Sequence, residues 1–225
     1  MPFTDLKVVM KSLLDDGKYA DMKISCQEHD CKCHRAVICS QSPFFDAALK
    51  NGFKEAKSSQ VNLLDEDVDT IACILSFCYL QDYGQADDSE SFQSDKAARN
   101  HLGVYIAADK FGIFPLRELA FSRIVGWARS NWSKEYFPGI VQDIWRDTPP
   151  HENKLRDEIV EVISTNILHF QAQDDGYNVL VENVDLMLAV LERVAANYAE
   201  VKEQNNRPIE QNNSRSVRRA FAPLK

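Results

Sequence analysis

The sequence predicts an α+β chain: a mixed α/β front half followed by an all-helical back half. Three observations carry that reading. Apolar residues alternate from Met22 to Cys33, helical periodicity takes over from residue 97 onward, and the transition passes through an acidic stretch at 81–95 that holds five acids and no base. With 225 residues, 44% apolar and 27% charged, the chain can bury a core and fits one domain or one plus an appendage.

The elements follow in order. Leu6, Val9, Met10, Leu13 and Leu14 recur at helical spacing after Thr4 and Asp5, with Gly17 as a left-handed stop. The apolar face of this short helix is free either to cover the chain's own core or to pack on a second subunit. Met22, Ile24 and Cys26 alternate with Lys23 and Ser25, the polar stretch Gln27 to Asp30 turns the chain, and Cys31 and Cys33 resume the period of two, which makes a hairpin. After the compact apolar segment Ala36 to Cys39, Ser42 is a cap and Pro43 a first helical residue for a helix through Phe44, Phe45, Ala48 and Leu49, ended by Asn51-Gly52.

Val61 to Leu64 reads as a short strand, and Asp65 to Asp69 as the acidic start of a helix buried through Val68, Ile71, Leu75, Cys78 and Tyr79. Helices are expected over 97–112, 115–130, 137–146, 153–170 and 184–203, with breaks at Thr148-Pro149-Pro150 and from Gln171 to Asn178. The tail after Gln204 lacks apolar periodicity along its length and reads as flexible.

Several functions fit poorly. No run approaches the length of a membrane span, and the acid-flanked start does not read as a signal peptide, so the expectation is an intracellular protein whose sequons at Asn131 and Asn212 carry no glycan. The formal charge of -8 divides into +4 over residues 204–225, with five bases against Glu210, and therefore -12 over the first 203. A body of that sign repels phosphates, so direct nucleic-acid binding is not expected. No glycine-rich phosphate loop is present, and no cofactor is implied.

Cys26, Cys31, Cys33 and Cys39, with His29 and His34 nearby, invite a zinc reading. Their C-x4-C-x-C-x5-C spacing lacks a paired knuckle, and small core-filling thiols explain them better, so no metal is expected. Cys33 or Cys39 with His34 could be drawn as a nucleophile pair, but no orienting partner stands at usable spacing. The run Asp65, Glu66, Asp67, Asp69 lacks the glycine and distal glutamate of a calcium loop. Phe44, Phe45, Trp127, Tyr136 and Trp145 stand at core spacing rather than as a stacking platform.

The stretch from Tyr19 to Tyr83 resembles the BTB/POZ domain. Asp21 opens the first strand, His34-Arg35 closes the hairpin, AVICSQSPFF follows, and a helix ends in FCYLQDY, while HLGVYIAADKFGIFPLRELA is similar to the family's closing helical pair. The segment FPGIVQDIWRDTPPHENKLRDEIVEVI is similar to the helical extension after BTB domains in many fungal proteins. The resemblance implies a BTB/POZ fold, a small β-sheet capped by helical hairpins, over 1–125, a helical extension over 126–203 and a flexible basic tail over 204–225.

It further implies a non-catalytic interaction module that forms a homodimer through its first helix, with Leu6, Val9, Met10 and Leu13 at the interface. The chain starts shortly before that helix, so an exchanged N-terminal strand is not expected. Asp21 and Arg35 match a charged pair that the family places near the dimer interface; an internal ion pair fixing the hairpin is an equal reading. In members that act as adaptors of cullin-3 ubiquitin ligases a hydrophobic-x-Glu motif binds the cullin, and Phe53-Lys54-Glu55 fits it. No kelch repeat, MATH sandwich or zinc-finger array is recognised, which leaves the protein client unknown. The alternative is a transcription-linked or structural scaffold without ligase association.

Overall fold

The computed structural model describes residues 5–50, 54–84, 94–149 and 153–206. Helix α1 (Leu6–Asp16) starts where Asp5 accepts the Lys7 N–H (3.0 Å) and stops at Gly17, whose φ of 58° lets its N–H return to the Leu13 carbonyl. Strands β1 (Met22–Cys26) and β2 (His29–Cys33) form an antiparallel hairpin with Cys26 opposite His29, so the turn is only Gln27-Glu28 and not the longer stretch to Asp30. Polar composition hid the start of β2, because its first residues His29 and Asp30 are exposed.

Strand β3 (Gln60–Asn62) lies parallel to β1, Ile24 opposite Val61, and the sheet order is β2-β1-β3. This strand begins one residue before, and ends two residues before, the expected segment. Leu63 still bonds Ser25 through its N–H (2.7 Å), but Leu64 turns outward.

Short helices α2 (Arg35–Ile38), α3 (Pro43–Leu49) and α4 (Lys54–Ser58) separate β2 from β3. Ser42 caps α3 by accepting the Phe45 N–H (3.3 Å) while its own hydroxyl donates to the Phe111 carbonyl (2.7 Å). Asp67 from the acidic run caps α5 (Val68–Leu80) by accepting the Thr70 N–H (2.9 Å). Then come α6 (Asp95–Lys110), α7 (Phe114–Asn131), α8 (Phe137–Asp147), α9 (Asn153–Thr165), α10 (Ile167–Ala172), α11 (Asp174–Glu182) and α12 (Val184–Asn206).

The long helix expected over 153–170 is divided at Asn166, and the expected break over 171–178 is overturned by α11. Asp174 and Asp175 complement the dipole at its first turn, and Gly176 lets it lie against the Phe170 carbonyl. The polar surface of α11 concealed a short inward face in which only Gly176 and Val179 are fully buried, with Leu180 half-buried beside them.

One continuous core joins the halves. Ile24, Phe45, Ile71 and Phe111 lead through Leu116 and Ile124 to Phe137, Ile159, Phe170 and Leu186, all buried, each such side chain stabilising by about 1.5–3 kcal/mol. Helix α7 runs unbroken across residues 125 and 126, packing with α6 on one side and α9 on the other. Among the described residues no helix is long and apolar enough to cross a membrane.

Candidate interaction surfaces

Helix α1 rests on α5 through one side only, and none of its residues is fully buried. Met10, Leu13 and Leu14 are half-buried against the core. Leu6, Val8 and Val9 remain 72%, 61% and 40% exposed. The four residues expected at a dimer interface therefore divide: Leu6 and Val9 face solvent, while Met10 and Leu13 also seat the helix. Period alone could not separate them, because Leu6, Met10 and Leu13 share one line on the helix, and only the extent of α5 decides which are covered.

The base of the hairpin is held by a polar network. Asp21 Oδ1 accepts the backbone N–H of Arg35 (2.7 Å), and the Arg35 guanidinium donates to the Leu49 carbonyl (2.9 Å). The link between Asp21 and Arg35 thus runs from carboxylate to backbone and ties α2 to β1, while the guanidinium ties α2 to the end of α3. Beside them the Tyr79 hydroxyl accepts the His34 N–H (3.0 Å) and lies 2.6 Å from His34 Nδ1. His34 Nε2 donates to the Lys18 carbonyl (2.7 Å), since a carbonyl only accepts, and this leaves Nδ1 to accept the Tyr79 proton. Burial pushes the Tyr79 phenol up to about 12. The pairing of His34 with Tyr79, 45 residues apart, had no sequence signal beyond the two residue types.

Of Phe53-Lys54-Glu55, Phe53 lies outside the described residues. Lys54 and Glu55 open α4, Lys54 exposed and Glu55 half-buried, directly after α3. The central part of the acidic stretch, 85–93, and most of the basic tail also lie outside the described residues.

The cysteines behave as core atoms. Cys26 Sγ donates to the Glu66 carbonyl (3.1 Å) and Cys33 Sγ to the Cys31 carbonyl (3.4 Å). Burial pushes the Cys33 and Cys78 thiols up to about 12, so neither is a thiolate at neutral pH. Among the described residues no group of three or more His, Cys, Asp or Glu is placed to hold a metal ion. A second polar group, buried at Tyr83 and His101, joins the segment after α5 to α6 and α7: the Tyr83 hydroxyl meets His101 Nδ1 (3.2 Å), and Arg123 donates to the Tyr83 carbonyl and to the exposed Asp82 Oδ1 (2.5 Å).

The described residues thus combine a three-stranded sheet roofed by helices with buried thiols and a first helix that leaves apolar residues exposed. Residues 10–120 match the family model of the BTB/POZ domain, and they are a BTB/POZ domain. The chain is similar to Kelch-like protein 40 of Xenopus laevis, 22% identical over 192 residues, covering 77% of this chain and 29% of that protein. It is also similar to Kelch-like protein 25 of Xenopus laevis, 24% identical over 198 residues and covering 76% of this chain and 33% of that protein. TD and POZ domain-containing protein 3 of Mus musculus is 28% identical over 109 residues, covering 48% and 27%.

The chain thus spans a third or less of the length of these relatives, and the two Kelch-like matches take in more of it than the BTB/POZ segment alone. Among solved structures the BTB domain of human gigaxonin aligns at 14% identity with a TM-score of 0.37, covering 53% of this chain and 93% of that domain. The BTB domain of zebrafish PATZ1 aligns at 14% identity with a TM-score of 0.39, covering 55% and 97%.

Proposed function

We propose that this protein is a dimeric interaction module without chemistry of its own, whose BTB/POZ domain pairs through the apolar residues that α1 leaves exposed. The observation that carries the reading is the exposure of Leu6, Val8 and Val9 on a helix already anchored by Met10, Leu13 and Leu14. A half-seated apolar helix leaves surface that a second copy can remove from water, at about 25 cal/mol for each Å² covered. Asp21 and Arg35 act by fixing the hairpin and α2 beneath that surface.

Light scattering at micromolar concentration tests this. The parent chain runs as a dimer, and Leu6→Asp or Val9→Asp converts it to a monomer with unchanged circular dichroism. A monomeric parent, or a dimer indifferent to both changes, refutes the proposal.

The finer reading is adaptor function in a cullin-3 ubiquitin ligase, an unidentified protein client being held elsewhere on the chain. Its support is the BTB/POZ family, the Kelch-like relatives and the position of Lys54 and Glu55 at the start of α4 after α3. Phe53→Ala and Glu55→Ala should each weaken capture of cullin-3. No capture by the parent, or capture unaltered by either change, removes this reading in favour of a scaffold without ligase association.

A further inference from the structure

Helix α12 has two apolar faces. Leu186, Val190 and Val194 turn inward, with α9 and α11 as its neighbours. Beside them, about 115° around the helix, Val184, Leu188, Leu191 and Tyr198 follow one another at intervals of four, three and seven residues, and all are 51% to 70% exposed. Such spacing keeps them on one line along the helix. From Tyr198 to Gln204 every residue is exposed, so these turns bury no side chain of their own.

The surroundings of this line are acidic. Asp185, Glu192 and Glu203 fall about 90° around the helix from it and form its edge. Across 174–206 seven acids (Asp174, Asp175, Glu182, Asp185, Glu192, Glu200, Glu203) stand against two bases, Arg193 and Lys202, and Arg193 is held by Glu161 at 2.5 Å. The surface therefore suits an occupant that combines apolar side chains with arginine or lysine.

We propose that the occupant is the chain's own segment Arg215–Leu224, which lies outside the described residues. It carries Val217, Phe221 and Leu224 interleaved with Arg215, Arg218 and Arg219, the complement in both hydropathy and sign. The reach is sufficient: from Asn206 back to Leu191 is about 22 Å along the helix, and the ten residues 207–216 span up to about 33 Å when extended. Docking covers the apolar line and brings the +4 tail against carboxylates of the -12 body.

Hydrogen exchange in the full chain tests the proposal, comparing the parent with the variant Arg215→Glu, Arg218→Glu, Arg219→Glu at about 0.05 M and about 0.5 M salt. The expected result is that amides of residues 198–204 exchange about tenfold faster in the variant, and that high salt brings the parent toward it. Carbodiimide coupling should join Lys225 to Asp185, Glu192 or Glu203 within one chain. Leu188→Ser with Leu191→Ser, both on the exposed side, should abolish that coupling without loss of helix content. Equal exchange in parent and variant overturns the proposal. So does protection that rises with protein concentration and survives the arginine changes, which makes a second copy the occupant, or coupling that only joins two chains.

Discussion

Acidification should weaken this protein before its carboxylates titrate, through one histidine. His101 on α6 is 4% exposed, with the Tyr83 hydroxyl 3.2 Å from Nδ1 and the two rings edge-on at 5.6 Å. The Arg123 guanidinium lies 4.1 Å from the centre of the Tyr83 ring. Burial, and then the nearby positive charge of Arg123, lower the His101 pKa to about 4 from an ordinary value near 6.5. An unfolded chain takes up a proton at this histidine as pH falls through about 6.5, whereas the folded chain holds it neutral until about 4. The stabilisation is therefore complete above about 6.5 and is lost progressively as pH falls toward 4.

The difference of about 2.5 pKa units corresponds to roughly 3 kcal/mol at pH 4, of which about 2 kcal/mol is lost by pH 5. Urea unfolding at pH 7 and pH 5, at one fixed protein concentration, measures it. The parent should lose about 2 kcal/mol more across that interval than His101→Gln, whatever the variant's stability at pH 7. Parallel losses in the two proteins, or a His101 ring that titrates near 6.5 in the folded chain, would refute the reasoning.

Three further outcomes are expected. Tyr79→Phe removes the hydroxyl that serves both the N–H and the Nδ1 of His34, and should cost about 1–3 kcal/mol in urea unfolding; a smaller cost would mean that water replaces the hydroxyl. Gly176→Ala places a Cβ 2.0 Å from the Phe170 carbonyl oxygen, so α11 must move off α10. The expected loss is at least about 2 kcal/mol, and a melting temperature within a degree or so of the parent would contradict that packing. Cys33 and Cys78, buried and pushed up to about 12, should resist alkylation at neutral pH in the folded protein and react readily in urea, as mass mapping of the modified peptides would show.

Local chemistry was legible wherever a signal lies within a few residues of the structure it makes. Asp5 and Gly17 bound α1, Ser42-Pro43 opens α3, an aspartate of the run 65–69 caps α5, and the alternation from Met22 marks β1. Each depends on backbone groups one to four residues away, so sequence neighbours carry the information. The same reasoning failed at α11, where the inward face of Gly176, Val179 and Leu180 is only three residues long, begins with a glycine and sits in a polar segment. It also could not place the hairpin turn, because the exposed residues His29 and Asp30 look like loop while pairing as strand.

By itself, then, the sequence determined the hairpin and most of the helices in order, though not α4 or α11, together with the helical character of the second half, the acidic body with its basic end and the BTB/POZ likeness of the first. Tertiary structure alone decided that β3 joins β1 in parallel, that His34 meets Tyr79, and that α7 carries one core from the domain into the extension. It also decided which apolar residues of α1 and of α12 stay in water. The physical reason is common to all of these: periodicity says that a face is apolar, but what covers it depends on where a distant element ends, and that is set by packing between residues far apart in the chain.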